Sequence, residues 1–364
     1  MSEPRLTIRA IRAVGVDVPM KLPLSTSAGT IRSAPLLLID LETEEGVTGR
    51  SYLFCYLSAA APAIATVLGE VERNVKGDRV VPADLWAKLA RRFKLIGVQG
   101  IVRMAMSGFD VACWDALALA AGKPLVALLG GEPRPIPAYN SNGLGLMAPE
   151  AAADEAEKLL TRGFRAVKLR LGHPSPAADL AAVHAVRKRL PDSVELMVDY
   201  NQALTFVQAL ERGRALDSEG VAWIEEPIRH DDFRKCAELA ATLATPIQIG
   251  ENFSLPEQMG EAILARACDF VMPDLERIGG VSGWQRAAAL ATNSKQPMSS
   301  HLFPETSAHL LAVTPTCHYL EYVDWADAIL AEPLAIVDGA AVIPERPGTG
   351  VVWDEKAVER YRMA

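Results

Sequence analysis

The sequence lacks any apolar run of 18 residues, the length that a membrane-spanning helix requires. Its first ten residues contain no apolar signal core. Cysteines are few and scattered, without a CxxC motif: Cys55, Cys113, Cys236, Cys268 and Cys317. An odd number of thiols without a secretory leader is typical of a reducing compartment, so we expect a cytoplasmic protein that does not enter a membrane.

Low-complexity tracts and long blocks of like charge are also absent. Half of the 364 residues are hydrophobic and 23% are charged, which is typical of a globular chain with a large core. This length allows one large α/β domain and a smaller one. The formal net charge of −8 argues against nucleic acid as a partner. A small anionic substrate is compatible with it, because a local metal ion and lysines can dominate the field of a site.

The N-terminal part has the pattern of an α+β unit. Residues 5–20 and 34–54 alternate in hydrophobicity like strands and indicate an antiparallel meander. Between them, residues 21–33 are rich in Ser, Thr and Gly and predict an exposed loop. Helical periodicity follows at roughly 59–74, 82–96 and 100–121. We therefore predict a first domain over residues 1–130.

From residue 131 the pattern changes to short apolar strands that alternate with helices rich in Ala and Leu. The candidate strands are 136–140, 166–171, 195–200, 222–226, 247–251, 270–274, 297–302 and 318–322. Eight strands with helical intervals indicate an α/β fold of the TIM-type (β/α)-barrel class, since doubly wound sheets usually have fewer strands. The last interval has no complete helix pattern, which predicts (β/α)7β over residues 131–325. Two strand patterns in residues 326–364 are expected to return to the first domain.

Three acidic residues, Asp199, Glu225 and Glu251, follow candidate strands at intervals of 26 residues. One strand, one helix and two short loops account for such an interval. The three carboxylates should therefore project toward a common point at the top of the barrel. Buried like charges need a compensating cation, and ligation by oxygen alone favours a hard divalent ion. The sequence predicts a magnesium site, with manganese as the alternative.

Other polar residues stand where barrel enzymes place their chemistry. Lys168 and Arg170 are two positions apart on one strand, so their side chains share a face. Asp274, His301 and Glu321 end the sixth, seventh and eighth candidate strands. Cations would thus stand on one side of the metal and an Asp–His pair on the other. This arrangement suits abstraction of a proton α to a carboxylate, because a metal neutralises the enediolate that forms.

The order of these motifs resembles the mandelate racemase subgroup of the enolase superfamily. The shared segments span nearly the whole chain: APLLLIDLET, WDAL, FRAVK, VDYNQ, WIEEP, GEN, MPD, IGGV, PMSSHLF, SAHLL and the closing PGTGVVW. That superfamily is known to use a Lys or His base with magnesium. The resemblance implies a barrel with an α+β capping domain, usually in a symmetric homo-oligomer, that acts on a small carboxylate. It also implies that the three acids hold the magnesium.

The resemblance further implies individual roles. His301, supported by Asp274, matches a general acid/base. Glu321 matches the acid that hydrogen-bonds the substrate carboxylate, and Asn201 matches a polar contact to substrate. Residues 20–33 resemble a specificity loop that closes over the substrate.

In that interpretation four residues make an apolar wall around the substrate: Leu24, Ile31, Phe54 and Tyr56. The alternative is that these side chains only pack the two domains together. The sequence favours neither interpretation over the other.

The chain departs from the family at one position. Lys168 matches the first lysine of a Lys-x-Lys pair, but the second member, normally the base opposite the histidine, is Arg170 here. A guanidinium holds its proton far more tightly than an ammonium. Either Lys168 takes over, or Arg170 is deprotonated in an unusual site, or only the histidine face is active. We expect the guanidinium to favour neutral Lys168 by like-charge repulsion, which favours the first outcome.

The leading functional hypothesis is magnesium-assisted enolisation that racemises or epimerises a 2-hydroxy acid. Its alternative is dehydration of a polyhydroxy (sugar) acid to a 2-keto-3-deoxy acid, in which the same enediolate expels a β-hydroxyl. The apolar loop favours the isomerase, whereas Arg170 and the loop cations Lys21 and Arg32 favour the dehydratase. A Schiff-base lyase that uses Lys168 as nucleophile and a non-catalytic acid-binding barrel are the remaining hypotheses.

Overall fold

The computed structural model describes residues 5–363. The N-terminal part is an antiparallel sheet of three strands followed by helices, which together form a cap. Its elements are β1 (Ile8–Thr26), β2 (Gly29–Thr43), β3 (Thr48–Phe54), α1 (Ala60–Val75), α2 (Pro82–Arg92) and α3 (Gly100–Ala120), and α4 (Leu125–Leu128) leads into the barrel. Helix α3 packs so closely on β3 that a Cβ at Gly49 would lie 2.1 Å from the carbonyl oxygen of Ala112. Only glycine fits there.

Residues 21–33 form the end of the β1–β2 hairpin, not the loop that their composition predicts. Leu24 pairs with Ile31 and Thr26 with Gly29, after a break in register between Pro19 and Leu24. Backbone pairing satisfies the peptide groups of both arms without needing a continuous apolar pattern, and the β-branched Thr and Ile side chains suit extended backbone. The segment still presents a mostly exposed tip.

The second part is a parallel barrel. Its strands are β4 (Ile136–Asn140), β5 (Ala166–Arg170), β6 (Glu195–Asp199), β7 (Val221–Glu225), β8 (Ile247–Ile249), β9 (Phe270–Val271) and β10 (Leu320–Tyr322). Its helices are α5 (Pro149–Leu159), α6 (Pro176–Arg189), α7 (Phe206–Leu216), α8 (Phe233–Thr242), α9 (Leu255–Leu264), α10 (Leu275–Ile278), α11 (Gly280–Ser294) and α12 (Pro304–Ala312). Residues 297–302 take the seventh strand position through isolated bridges to both neighbours. Strand β10 pairs with β4 and closes the ring, so the predicted (β/α)7β barrel with a cap is confirmed.

The C-terminal segment serves both parts of the molecule. Strands β11 (Ala335–Val337) and β12 (Ala340–Val342) join the barrel sheet, where Ala341 pairs with Ile136, so the expected return of these strands to the cap is wrong. The reason is that β10 covers β4 only from Ala138 onward and leaves its first residues open to another strand. Later residues do reach the cap, where Trp353 Nε1 donates to Asp40 Oδ1 at 2.8 Å. Helix α13 (Glu355–Tyr361) follows.

Helix α3 is mostly buried and joins the cap to the barrel through polar contacts. Asp110 accepts hydrogen bonds from the backbone nitrogen and the hydroxyl of Ser282 on α11, at 2.9 and 2.6 Å. Burial raises the pKa of Asp110 to about 7, although both of these bonds act in the opposite direction. Among residues 5–363, neither α3 nor any other helix combines the length and hydropathy that crossing a bilayer would need.

Candidate active site

The carboxyl ends of the barrel strands and the adjacent face of the cap enclose one cavity of 470 Å³. Most of the predicted site residues line it: Leu24, Ile31, Phe54, Tyr56, Lys168, Arg170, Asp199, Asn201, Glu251, His301 and Glu321. Two predicted residues lie outside the lining, because Glu225 contacts Lys168 from below and Asp274 contacts His301 from behind. The site residues predicted from the sequence therefore form one connected set of side chains in the structure.

The three predicted metal ligands converge. Asp199, Glu225 and Glu251 each offer an oxygen, and these atoms all lie within 4.8 Å of one another. Oxygens this close together could all be held by one hard divalent cation, which binds oxygen at about 2.1 Å. Burial raises the pKa of Glu225 to about 8 despite the opposing effect of Lys168. The residues fit a hard divalent cation, since it would offset this cost of burying the charge.

Neighbouring groups orient these carboxylates. The backbone nitrogen of Asn201 donates to Asp199 Oδ1 at 2.8 Å, and its side-chain nitrogen donates to Oδ2 at 3.1 Å. The indole nitrogen of Trp223 donates to Glu225 Oε2 at 3.2 Å. The side-chain amide of Gln248 donates to the same oxygen at 3.3 Å. Trp223 and Gln248 were not expected as site residues, because inward positions of a buried strand look like ordinary core in a sequence.

Lys168 is enclosed by carboxylates. Its Nζ lies 2.5 Å from Glu225 Oε1, 2.9 Å from Glu321 Oε1 and 3.4 Å from Asp199 Oδ2. Burial disfavours the charged form, but the surrounding carboxylates outweigh it and hold the pKa of Lys168 well above its usual value. The expectation that Arg170 favours neutral Lys168 is therefore wrong, because nearby negative charge outweighs the more distant cation.

Arg170 lines the cavity, and its hydrogen bonds go to the loop at Ser141 and Gly143. Its Nη1 donates to the carbonyl oxygens of Ser141 and Gly143 at 2.8 and 3.1 Å, and its Nη2 donates to Ser141 Oγ at 2.9 Å. Ser141 Oγ in turn donates to Glu321 Oε1 at 2.7 Å. These bonds fix the guanidinium as a hydrogen-bond donor at one place in the site. Ser141 gave no signal in the sequence, since a serine in a strand-end loop is common.

His301 and Asp274 form a buried pair on the other side of the cavity. Asp274 Oδ2 lies 2.6 Å from His301 Nδ1. The other ring nitrogen, Nε2, is on the side of the predicted metal ligands and lies 3.3 Å from Glu251 Oε2. Burial disfavours the imidazolium, but Glu251, Glu321 and Asp274 outweigh it and raise the pKa of His301 to about 10. A cation on Glu251 would withdraw part of this effect. The pair can hold a proton at Nε2 and release it toward the cavity.

Glu321 connects the two sides of the site. Its Oε2 accepts a hydrogen bond from the backbone nitrogen of Leu302 at 2.9 Å, while its Oε1 contacts Ser141 and Lys168. Burial would raise the pKa of Glu321, but Lys168 and His301 dominate and hold it far below its usual value. Glu321 is therefore an anion in this arrangement. It would compensate the positive charge of Lys168 if a metal cation were bound by the other carboxylates.

The cap supplies an apolar wall opposite the polar groups. Phe54 packs against Tyr56 and Trp325, with ring centroids 4.4 and 5.1 Å apart. Leu24 and Ile31 of the hairpin line the same cavity. Trp325 follows β10 and was not expected as a site residue, because a lone tryptophan after a strand carries no positional signal. Of the hairpin cations, Lys21 pairs with Asp324 at 2.7 Å and Arg32 is exposed.

A capped (β/α)7β barrel with three converging carboxylates and a His–Asp pair defines the enolase class of barrel enzymes. Two family models match the chain: "Mandelate racemase / muconate lactonizing enzyme, N-terminal domain" over residues 8–130 and "Enolase C-terminal domain-like" over residues 151–357. The chain belongs to the mandelate racemase/muconate lactonizing enzyme subgroup of the enolase superfamily, and the resemblance seen in its sequence is confirmed.

Two curated relatives are similar over nearly their full length. A 3,6-anhydro-alpha-L-galactonate cycloisomerase from Streptomyces coelicolor is 32% identical, with 96% of this chain and 97% of that protein covered. An L-talarate/galactarate dehydratase from Salmonella typhimurium is also 32% identical, with 93% and 87% covered. The chain is therefore similar to enzymes of different reaction outcome within one superfamily.

Two solved structures share the fold closely. An enolase from the alphaproteobacterium BAL199 with bound magnesium has a TM-score of 0.97 and 44% identity, with 98% of this chain and 100% of that chain covered. An enolase from Bradyrhizobium complexed with magnesium and mandelic acid has a TM-score of 0.96 and 42% identity, with 100% of both chains covered. The magnesium in these neighbours confirms, at the level of the family, the cofactor that the sequence predicts.

Proposed function

We propose that the protein is a magnesium-dependent lyase that dehydrates a 2,3-dihydroxy carboxylate with an apolar distal group. The proposal rests on one difference between the two sides of the cavity, namely whether a side chain there is free to exchange a proton. His301 with Asp274 can exchange a proton on one side. On the other side Arg170 is held by carbonyl oxygens and Lys168 by carboxylates. One acid/base suffices for elimination, whereas inversion needs a second group on the opposite face.

Magnesium held by Asp199, Glu225 and Glu251 would supply a Lewis acid that stabilises negative charge developing on the substrate carboxylate. Lys168 adds a fixed positive charge at the same end of the cavity. Arg170 and Asn201 offer donors to the hydroxyl groups nearest the reacting carbon. The apolar wall of Phe54 and the hairpin then receives the distal part of the substrate.

The reaction uses one proton twice. A cation on Glu251 would withdraw much of the negative charge that raises the pKa of His301 and so make its neutral form available. Neutral His301 accepts the α-proton at Nε2, and the electrons of the C–H bond move into an enediolate. The imidazolium then gives this proton to the β-hydroxyl as its C–O bond breaks, and water leaves. The resulting enol tautomerises to a 2-keto-3-deoxy acid without net oxidation or reduction. Asp274 keeps Nδ1 bonded throughout, so that Nε2 is the nitrogen that accepts and donates.

Racemisation of an aromatic 2-hydroxy acid is the second candidate. The apolar wall favours it, as does the similarity to a structure that contains mandelic acid. In this case Lys168 would act as the second base once a cation has taken over Asp199 and Glu225. Glu321, at 2.9 Å from Lys168, would still oppose loss of its proton.

The deciding experiment compares three substrate groups in D2O with magnesium: 2,3-dihydroxy acids with apolar substituents, sugar acids, and both enantiomers of mandelate. Keto acid is scored chemically and α-deuterium by NMR, with His301→Asn as the control. We expect keto acid from one α-configuration of the first group. Inversion of mandelate without keto acid from any compound would overturn the lyase proposal and support the racemase.

A further inference from the structure

Strand β3 of the cap reaches two buried glutamates of the barrel. The hydroxyl of Tyr52 donates to Glu305 Oε2 at 2.6 Å, and the backbone nitrogen of Phe54 donates to Glu276 Oε2 at 3.1 Å. Glu305 and Glu276 are only 4% and 1% exposed. Burying a carboxyl is costly unless it is hydrogen-bonded, so these two contacts with β3 help to keep both glutamates inside the cap–barrel junction.

Both glutamates lie close to the acid/base pair in sequence, and Glu276 also contacts it. Glu276 stands two residues after Asp274, and its backbone nitrogen donates to Asp274 Oδ1 at 2.7 Å. Glu305 stands four residues after His301, in the first turn of α12. The cap strand therefore holds the segment that follows each member of the pair.

The segment that follows His301 needs to be held. Leu302 and Phe303 have φ values of 51° and 50°, which is the left-handed region that residues other than glycine rarely adopt. Such backbone persists only where the surroundings determine it. Here Ser307 Oγ donates to the carbonyl of Leu302 at 3.0 Å, and the ring of Phe303 lies 5.2 Å from the ring of Tyr52.

We propose that Tyr52 is a positioning residue for His301. Its ring packs on the left-handed turn, and its hydroxyl fixes the start of α12 through Glu305, so that the imidazole is held against Asp274. The inference rests on the acid/base role proposed for His301. Tyr52 does not touch the cavity, so it acts through the turn and not on the substrate.

The same strand also carries the apolar wall. Phe54 lies two residues beyond Tyr52 and lines the cavity, while its backbone nitrogen bonds Glu276 beside Asp274. A shift of β3 would therefore move the wall and the acid/base pair together. The cap thus sets the distance between the apolar part of a bound substrate and the nitrogen that takes its proton.

The test replaces single groups at this junction. Tyr52→Phe keeps the ring and removes the hydroxyl, and Glu305→Leu removes the acceptor. Glu305→Gln keeps an oxygen that can accept from Tyr52 and serves as the rescue variant. Ser282→Ala is the control, because it removes a cap–barrel hydrogen bond of equal length, to Asp110, away from His301. It also removes the bond that the Ser282 hydroxyl accepts from Trp114, so it is the more severe change of the two.

With any substrate that turns over, we expect Tyr52→Phe and Glu305→Leu to lower kcat by roughly 5- to 30-fold, as for loss of one buried hydrogen bond, with KM changed less than about twofold. Glu305→Gln and Ser282→Ala should stay within about twofold of the wild type. An unchanged kcat in Tyr52→Phe, or an equal loss in Ser282→Ala, would overturn the proposal.

A second measurement does not depend on the proposed reaction. Amide hydrogen exchange, followed by mass spectrometry of peptides from the magnesium-loaded protein, should be faster over residues 300–311 in Tyr52→Phe and unchanged there in Ser282→Ala. If exchange over this segment is faster in Tyr52→Phe but none of the tested substrates turns over, Tyr52 still positions the segment and the proposed function is wrong. Unchanged exchange over this segment would refute the positioning, whatever the reaction.

Discussion

Lys168 Nζ lies 2.5 Å from Glu225 Oε1, so the lysine that the sequence favours as a second base is the nearest counter-ion of a predicted metal ligand. The same nitrogen lies 3.4 Å from Asp199, a second predicted ligand. Lys168 and a magnesium ion would therefore neutralise the same buried carboxylates. Each should matter most for stability when the other is absent.

Lys168→Met should lower the thermal stability of the protein in EDTA and enlarge the stabilisation by added magnesium. Removing one partner of a buried ion pair costs about 3–5 kcal/mol, and a divalent ion would recover part of it. Differential scanning calorimetry with and without magnesium measures both effects. Lys88→Met is the control, since Lys88 pairs with Asp78 at the surface and such pairs contribute about 0–1 kcal/mol. The same magnesium-induced shift in Lys168→Met and wild type would contradict this linkage.

Asp199→Asn should weaken magnesium binding by at least roughly tenfold, because it removes one of the anionic ligands while keeping the shape of the side chain. Isothermal titration calorimetry gives the affinity directly. Glu226→Gln provides the comparison: Glu226 is equally buried beside the site but bonds Asn252 and is outside the converging set. Its affinity for magnesium should stay within a few-fold of wild type. Equal affinities in Asp199→Asn and wild type would rule out this metal site.

Arg170→Lys should create proton exchange on the cavity side opposite His301. An ammonium cannot make the fork of bonds that Arg170 makes to Ser141 and Gly143, and it releases a proton far more readily than a guanidinium. We expect wild type to exchange the α-proton of one enantiomer and the variant to exchange both, as NMR in D2O would show. If wild type already exchanges both enantiomers, the one-sided chemistry proposed for it is wrong.

His309 should make stability depend on pH. Its Nδ1 accepts from the backbone nitrogen of Val126 at 3.2 Å, and its Nε2 lies 3.1 Å from the carbonyl of Thr349, so the buried ring is neutral. Burial lowers the pKa of His309 to about 4 from a usual value of 6.5. The unfolded chain therefore binds the extra proton first. This contribution is complete above about pH 6.5 and is lost as pH falls toward 4, by up to roughly 3 kcal/mol.

Urea unfolding of wild type and His309→Gln from pH 7.5 to 4.5 isolates that contribution from those of the buried carboxyls. Asp110 and Glu305, whose pKa values burial raises to about 7, respond in the opposite direction. The wild type should be the more stable protein at neutral pH, and the difference should narrow as the solution is acidified. A constant difference across this range would show that protonation of His309 is not linked to unfolding.

The barrel and the polar ring were predictable from the sequence because both follow from periodicity. Strands buried on both faces leave short apolar runs, and the residue after each run must face the same end of the barrel. Asp199, Glu225 and His301 could thus be placed without coordinates. The direction of Arg170 could not, since it depends on carbonyl oxygens of the loop at Ser141 and Gly143.

Two further features could not be predicted because tertiary contacts decide them. The hairpin end and the pairing of β12 with β4 rest on backbone hydrogen bonds, which leave little trace in side-chain patterns. The bond between Tyr52 and Glu305 joins residues 253 positions apart, and neither residue is distinctive in its own segment. The periodicity of a sequence predicts individual helices and strands, whereas these contacts form between different helices and strands.

Because Leu24 pairs with Ile31, the effect of an insertion in the hairpin depends on whether it adds an odd or an even number of residues. Both side chains reach the cavity, and neighbours along each arm point to the opposite face of the ribbon. Inserting one residue into either arm between the Pro19–Ser33 pair and these positions would rotate one side chain of the pair out of the cavity, whereas inserting two would restore it. Homologues whose arms differ there by an even number of residues should thus retain an apolar wall, and odd changes should exchange it for the polar face.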